Sequence, residues 1–261
     1  SGIESEVLNF GFSSKSLNFI TNLFYNEAIH YKPDLITIYS NRNTAFYDAN
    51  TSKSFYSDIN VREKNILSKI SYYLFENSML FRSTVKIKQK IRNFFYNDLN
   101  NDEIVSFKIN GRKVKFLKEY FFITYPKILS DILLFAKKNN IQVALIKQPL
   151  YIDPSIQRKI QNYSIDKLWA MMIDKRNFVY KKYPDYTSFY IFSNAILNKQ
   201  LDILNNNDKN FILIDPLDEF LGDEVIYNEL FYDYVHLKPK GNRLLSDIIY
   251  EDISPLLIKW K

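Results

Sequence analysis

Cysteine is absent from the 261 residues, and histidine occurs twice. Without cysteine there are no disulfides, no thiolate nucleophile and no cysteine-ligated zinc, while the redox compartment stays open, because a periplasmic chain can also do without the residue. Cytoplasmic and periplasmic or secreted locations are therefore both compatible with it. Glycine is scarce, at five residues. Neither G-x-G-x-x-G nor a Walker pattern occurs, which argues against a loop that cradles phosphate. No run approaches the ~18 consecutive apolar residues that a spanning helix needs, and no charged start followed by an apolar stretch is read at Ser1. Repeats, low-complexity tracts and Gly/Ser/Pro-rich linkers are missing too, so the expectation is a single domain over residues 1–261.

What is present is apolar and basic. Hydrophobic residues make up 46% of the chain, enough for a substantial core, and the formal charge is +6. Lys and Arg are scattered along the chain rather than gathered on one motif, so no nucleic-acid partner is expected. One cluster stands out between Phe81 and Phe95, where Arg82, Lys86, Lys88, Lys90 and Arg92 interleave with Phe81, Val85, Ile91, Phe94 and Phe95. Such a helix can rest weakly on an anionic membrane or polymer surface, or simply cover a core.

Short β-rich runs at Glu6 to Phe10, Leu35 to Tyr39, Ile141 to Lys147 and Phe211 to Asp215 alternate with longer helical patterns. That alternation predicts a parallel sheet covered by helices, a three-layer α/β/α class. The run Val143 to Ile146 is apolar without alternation, as a strand buried on both faces should be, and is expected at the centre. Helical periodicity is clearest from Leu117 to Lys138 and stops at Asn139-Asn140. Residues from Val61 to Tyr96 and from Pro154 to Leu204 read as helical excursions, with breaks near Asn77-Ser78 and Tyr183-Pro184-Asp185. Phe107 to Phe116 alternates around Asn110-Gly111, a strong signal for a type I′ hairpin and hence a small β insertion.

The most informative stretch is Phe231 to Gly241, which sets Asp233 three residues before His236 and then starts a helix, with Pro239 suited to its first turn. On a tight loop the carboxylate can accept Nδ1–H and leave Nε2 free to take a proton from a serine hydroxyl. The bland alternative is a helix-capping loop in which His236 only packs.

Three segments in order, Val7 to Gly11, Asp34 to Asn43 and Asp233 to Gly241, resemble the SGNH hydrolase family, also called GDSL-like esterases. The resemblance implies a flavodoxin-like parallel sheet, with His236 as the general base and Asp233 as its orienting partner. It further implies that the Gly11 N–H and the Asn43 amide donate to an oxyanion, and that no metal or organic cofactor is needed. The third block departs from the family, since Asn41 replaces the usual Gly and Thr44 the usual Asp, and Asn41 and Asn43 also read as turn residues. The larger departure is in the first block: the family's Gly-Asp-Ser, which carries the nucleophile, occurs nowhere between Ser1 and Lys261. The expectation is that the first strand and the nucleophilic serine lie upstream of residue 1. Ser13, Ser14 and Ser40 read as loop and helix-cap hydroxyls and are not nominated.

The resulting expectation is a serine esterase or deacylase that hydrolyses an acyl ester, with acylated carbohydrate as one plausible substrate, through an acyl-enzyme. The alternatives are a non-catalytic module of the same fold that binds a glycan or a protein, and an O-acyltransferase using the same site. Of the remaining polar residues, His30 reads as a helix C-terminal residue, Arg42 as a loop cation able to reach an anionic substrate group, and Gln148 to Tyr151 as a segment bordering the pocket.

Overall fold

Strand β4, Gln142–Ile146, organises the architecture, because every residue from Val143 to Ile146 is buried and alternate side chains enter different cores. Val143 and Leu145 join one hydrophobic cluster, and Ala144 and Ile146 the other. The computed structural model describes residues 6–8, 17–39, 104–109, 112–208, 210–221 and 228–259. Within them β4 pairs in parallel with β1, Leu35–Ile38, on one side and with β5, Ile212–Ile214, on the other. The order β1-β4-β5 puts the apolar run at the centre, as its lack of alternation predicts.

Helices cover both faces, which gives three layers. The face reached by Val143 and Leu145 carries α1, Leu17–Asn26, α2, Tyr125–Lys138, α4, Ile165–Ile173, and α6, Asp185–Asn207. The other carries α7, Pro239–Lys259, whose Leu244, Leu245 and Ile248 meet Ala144, Ile146 and Ile214. Between α2 and α6 the chain adds β4, α3, Pro154–Gln161, α4 and the short α5, Phe178–Lys182.

The element boundaries follow local chemistry. α2 stops at Asn139, and Asn140 adopts φ 56°, the left-handed turn that asparagine tolerates, while the Ile141 N–H returns to the Ala136 carbonyl at 2.9 Å. Asp153 caps α3 by accepting from the N–H groups of Ser155 (2.8 Å) and Ile156 (3.3 Å). The expected break at Tyr183-Pro184-Asp185 separates α5 from α6. In α7, Pro255 lacks the N–H that would bond the Glu251 carbonyl, and the Ser254 hydroxyl donates to that carbonyl instead at 3.2 Å.

The Asn-Gly signal corresponds to a real antiparallel pair, β2, Ile104–Ile109, with β3, Arg112–Leu117. Phe116 anchors the hairpin: it is fully buried and stacks on Phe189 of α6 at 4.1 Å between ring centroids. The periodicity from Leu117 takes a less regular form than an α-helix at its start, with π-helical hydrogen bonding over Tyr120–Thr124 before α2. Of the first β-rich run only Glu6 to Leu8 are described; these three form no strand, and Val7 is 89% exposed. No strand pairs with them among the described residues. The excursion from Val61 to Tyr96, including the basic stretch from Phe81 to Phe95, lies outside the described residues.

Candidate functional site

Phe231 to Lys238, just ahead of α7, form a tight loop whose geometry is set by backbone pairing at its base. Phe231 and Leu237 form an isolated antiparallel bridge, Tyr232 N–H donates to the His236 carbonyl at 2.8 Å, and Lys238 N–H to the Leu230 carbonyl at 2.8 Å. Gly241 seals this base. A Cβ there would lie 2.3 Å from the Leu230 carbonyl oxygen, closer than any real side chain sits to backbone.

Within the loop the Asp233 carboxylate is used at both oxygens. Oδ1 accepts from the N–H groups of Val235 and His236, each at 2.9 Å, and Oδ2 lies 2.6 Å from His236 Nδ1. A carboxylate can only accept, so Nδ1 carries a proton and, in the neutral ring, Nε2 presents its lone pair. Burial pushes the Asp233 carboxyl upward, but the His236 side chain, the two backbone N–H groups and the imidazole charge outweigh it and bring it down to about 2. The pair is reachable from solvent, with side-chain exposures of 50% for Asp233 and 68% for His236.

Aromatic rings hold the loop against the end of β4. Tyr151 N–H donates to the Tyr234 carbonyl at 2.9 Å, its ring packs between Phe231 and Tyr234, and its hydroxyl bonds Asn228 Oδ1 at 2.5 Å. Tyr183 meets Tyr234 edge-on at 6.2 Å, and its hydroxyl accepts from the Asp153 N–H at 2.8 Å. Lys238 donates to the Asn228 carbonyl, and Lys240 pairs with Glu229. The segment Gln148 to Tyr151 thus supports the loop as well as bordering a pocket.

That pocket is a second polar feature, a cleft of about 260 Å³ over the C-terminal ends of β4 and β5. Lys147, with a side chain only 6% exposed, bonds Asp202 at 2.6 Å and also pairs with Asp215. Burial alone would lower its ammonium, yet the two carboxylates together raise it. Sequence reading missed this cluster, because its members are up to 68 residues apart. No local spacing links Lys147, Asp202 and Asp215, so no signal in the sequence marks the cluster.

Of the residues singled out from the sequence, the structure brings together Asp233 and His236. Gly11, Asn43, Arg42, Ser13, Ser14 and Ser40 lie outside the described residues. His30 stands in the last turn of a 3₁₀ helix, Ala28–Tyr31, ahead of β1. Among the described residues no group of three or more metal-ligating side chains occurs, and no helix is long and apolar enough to cross a membrane.

No protein-family model matches the chain, and no curated protein matches it by sequence. Among solved structures, an acetyl xylan esterase superposes with a TM-score of 0.42 at 15% identity, over 92% of this chain and 77% of that one. A likeness of that size says nothing about the reaction.

Proposed function

We propose that the protein is an acyl-ester hydrolase of the SGNH type, in which Asp233 and His236 form the base half of a serine triad. The observation that carries this reading is the 2.6 Å contact between Asp233 Oδ2 and His236 Nδ1, on a loop that leaves the imidazole exposed. A serine hydroxyl reaching Nε2 gives up its proton to the ring as its oxygen bonds the acyl carbon. The imidazolium, stabilised by Asp233, then returns the proton to the departing alcohol. Water repeats the sequence to release the acid. The serine is proposed to lie upstream of residue 1, and the Gly11 N–H and Asn43 amide are proposed as oxyanion donors.

A second reading, a non-catalytic module that binds through the same surface, is favoured by one observation, the lack of Gly-Asp-Ser between Ser1 and Lys261. Labelling the full native chain with a fluorophosphonate probe, beside His236→Ala, separates the two. Covalent modification at an upstream serine, lost in His236→Ala, is the expected result, with the modified peptide located by mass spectrometry. A folded full-length protein that takes no label belongs to the binding module. Product formation that needs an added alcohol acceptor would instead identify an O-acyltransferase.

A further inference from the structure

At the wall of the cleft over β4 and β5 lies a buried donor with no partner among the described residues. Asn198 is fixed by backbone: its Oδ1 accepts from the Gln148 N–H at 3.2 Å and its Nδ2 donates to the Gln148 carbonyl at 3.2 Å. That orientation forces Nδ2 of Asn198 toward Asn194, so Asn194 must turn its own Oδ1 to it, at 3.0 Å. The Nδ2 end of Asn194 is therefore the free end. It has no hydrogen-bond partner among the described residues, although the side chain lines the cleft and the residue is only 5% exposed. An amide donor buried without an acceptor is destabilising, and a bound acceptor would relieve it.

The remaining lining restricts what that acceptor belongs to. Two cations, Lys147 and Lys199, face three carboxylates, Asp202, Asp215 and Asp218, and the Lys147 charge is already shared between two of them. The wall is net negative and disfavours an anion. An organic ammonium has protons to give and no lone pair to take the Asn194 hydrogen. A hydroxyl group does both: it accepts from Asn194 Nδ2 and donates to a carboxylate. Ile160, Ile191 and Leu217 add an apolar face suited to ring C–H groups. The volume, about 260 Å³, equals the share of roughly nine waters and suits one sugar ring.

We infer that this cleft is a binding site for a neutral polyhydroxylated ligand of monosaccharide size, anchored by a hydrogen bond from Asn194 Nδ2. The site is separate from Asp233 and His236, neither of which lines it, and the inference does not depend on the hydrolase reading. Leu150, Ile152 and Ile191 divide it from a small cavity of about 40 Å³ beneath Tyr234 and Val235.

The test uses the full chain, labelled with ¹⁵N, titrated separately with methyl α-glucopyranoside, inorganic phosphate and ethanolamine. The expected result is that the glucoside alone shifts the Asn194 side-chain NH₂ resonances. Ala195→Leu, which adds bulk to the cleft from α6, should weaken glucoside binding at least tenfold while leaving the circular dichroism spectrum and the unfolding midpoint close to wild type. Asn194→Asp, which swaps the free donor for an acceptor, should weaken it by a similar factor. His236→Ala should bind as wild type, so loss of esterase activity and loss of this site are read apart. Phosphate or ethanolamine moving Asn194 in place of the glucoside, no probe moving it, or undiminished binding by Ala195→Leu would each overturn the inference.

Discussion

Replacing Asp233 with Asn tests the proposed base at the level of one proton. The two carboxylate oxygens have different tasks: Oδ1 holds the loop through the N–H groups of Val235 and His236, and Oδ2 faces Nδ1. An Asn side chain keeps its carbonyl oxygen on the two backbone donors and presents NH₂ to the imidazole. Donor would then face donor, so Nδ1 must become the acceptor and the proton move to Nε2. The loop survives, while the nitrogen needed to accept a serine proton is blocked. In a serine triad that tautomer error costs ~10⁴-fold in turnover, about 5.5 kcal/mol at 1.36 kcal/mol per tenfold. Two readouts check it. Nitrogen shifts of the His236 ring report the tautomer in the 261-residue chain whether or not a nucleophile is present, and hydrolysis of p-nitrophenyl acetate reports turnover in the full native chain. Asp233→Ala is the contrasting variant, because it also removes both backbone contacts; with the carboxylate half exposed, water replaces part of the loss, and about 1 kcal/mol of stability should go. An Asp233→Asn protein that keeps the Nε2 lone pair, or keeps its turnover, would refute the reasoning.

Three further outcomes follow from the same contacts. Because the Asp233 carboxyl is lowered to about 2, against an ordinary unfolded value near ~3.9, its contribution is fully present above the unfolded value and fades as pH falls through 2. In acid-unfolding curves the gap between wild type and Asp233→Asn should therefore close toward pH ~2, and a gap that widens there would contradict the assignment. Gly241→Ala drives a methyl group into the Leu230 carbonyl, which is backbone and yields poorly, so a loss of about 1–3 kcal/mol should appear as a lower urea midpoint, with the Lys238 amide exchanging faster. Lys147 is raised by Asp202 and Asp215, so its contribution holds below the unfolded value of ~10.4 and fades as pH climbs through the folded one; alkaline titration of stability should show a falling limb that Lys147→Met lacks.

The sequence made some of this legible because the signal was local. Val143 to Ile146 could be recognised as central since a strand buried on both faces leaves no position for a polar residue, and the hairpin was marked by a turn that two residues suffice to specify. Asp233 and His236 were readable for the same reason: three residues apart, they need only a tight loop to meet. Glu6 to Leu8 misled because β-rich composition states that a segment can pair and be buried, not that anything covers it, and Val7 stays exposed. The Lys147 cluster was illegible because its charges come from β4, α6 and β5, and no spacing rule links residues that only a crossover brings together.

That crossover also explains where the polar chemistry gathers. In a parallel sheet every strand ends at the same edge, so the residues just after β4 and just after β5 become neighbours however long the helices between them. Lys147 follows Ile146 and Asp215 follows Ile214, and the register Ile146 to Ile214 sets them side by side. The next few residues after β4 then serve different partners in turn: Gln148 fixes Asn198 and through it the free end of Asn194, whereas Tyr151 holds Tyr234 and the loop of Asp233 and His236. A five-residue segment thus carries the cleft on one side and the loop of Asp233 and His236 on the other. Its own position is fixed by the most deeply buried strand of the sheet, which ties both features to the core.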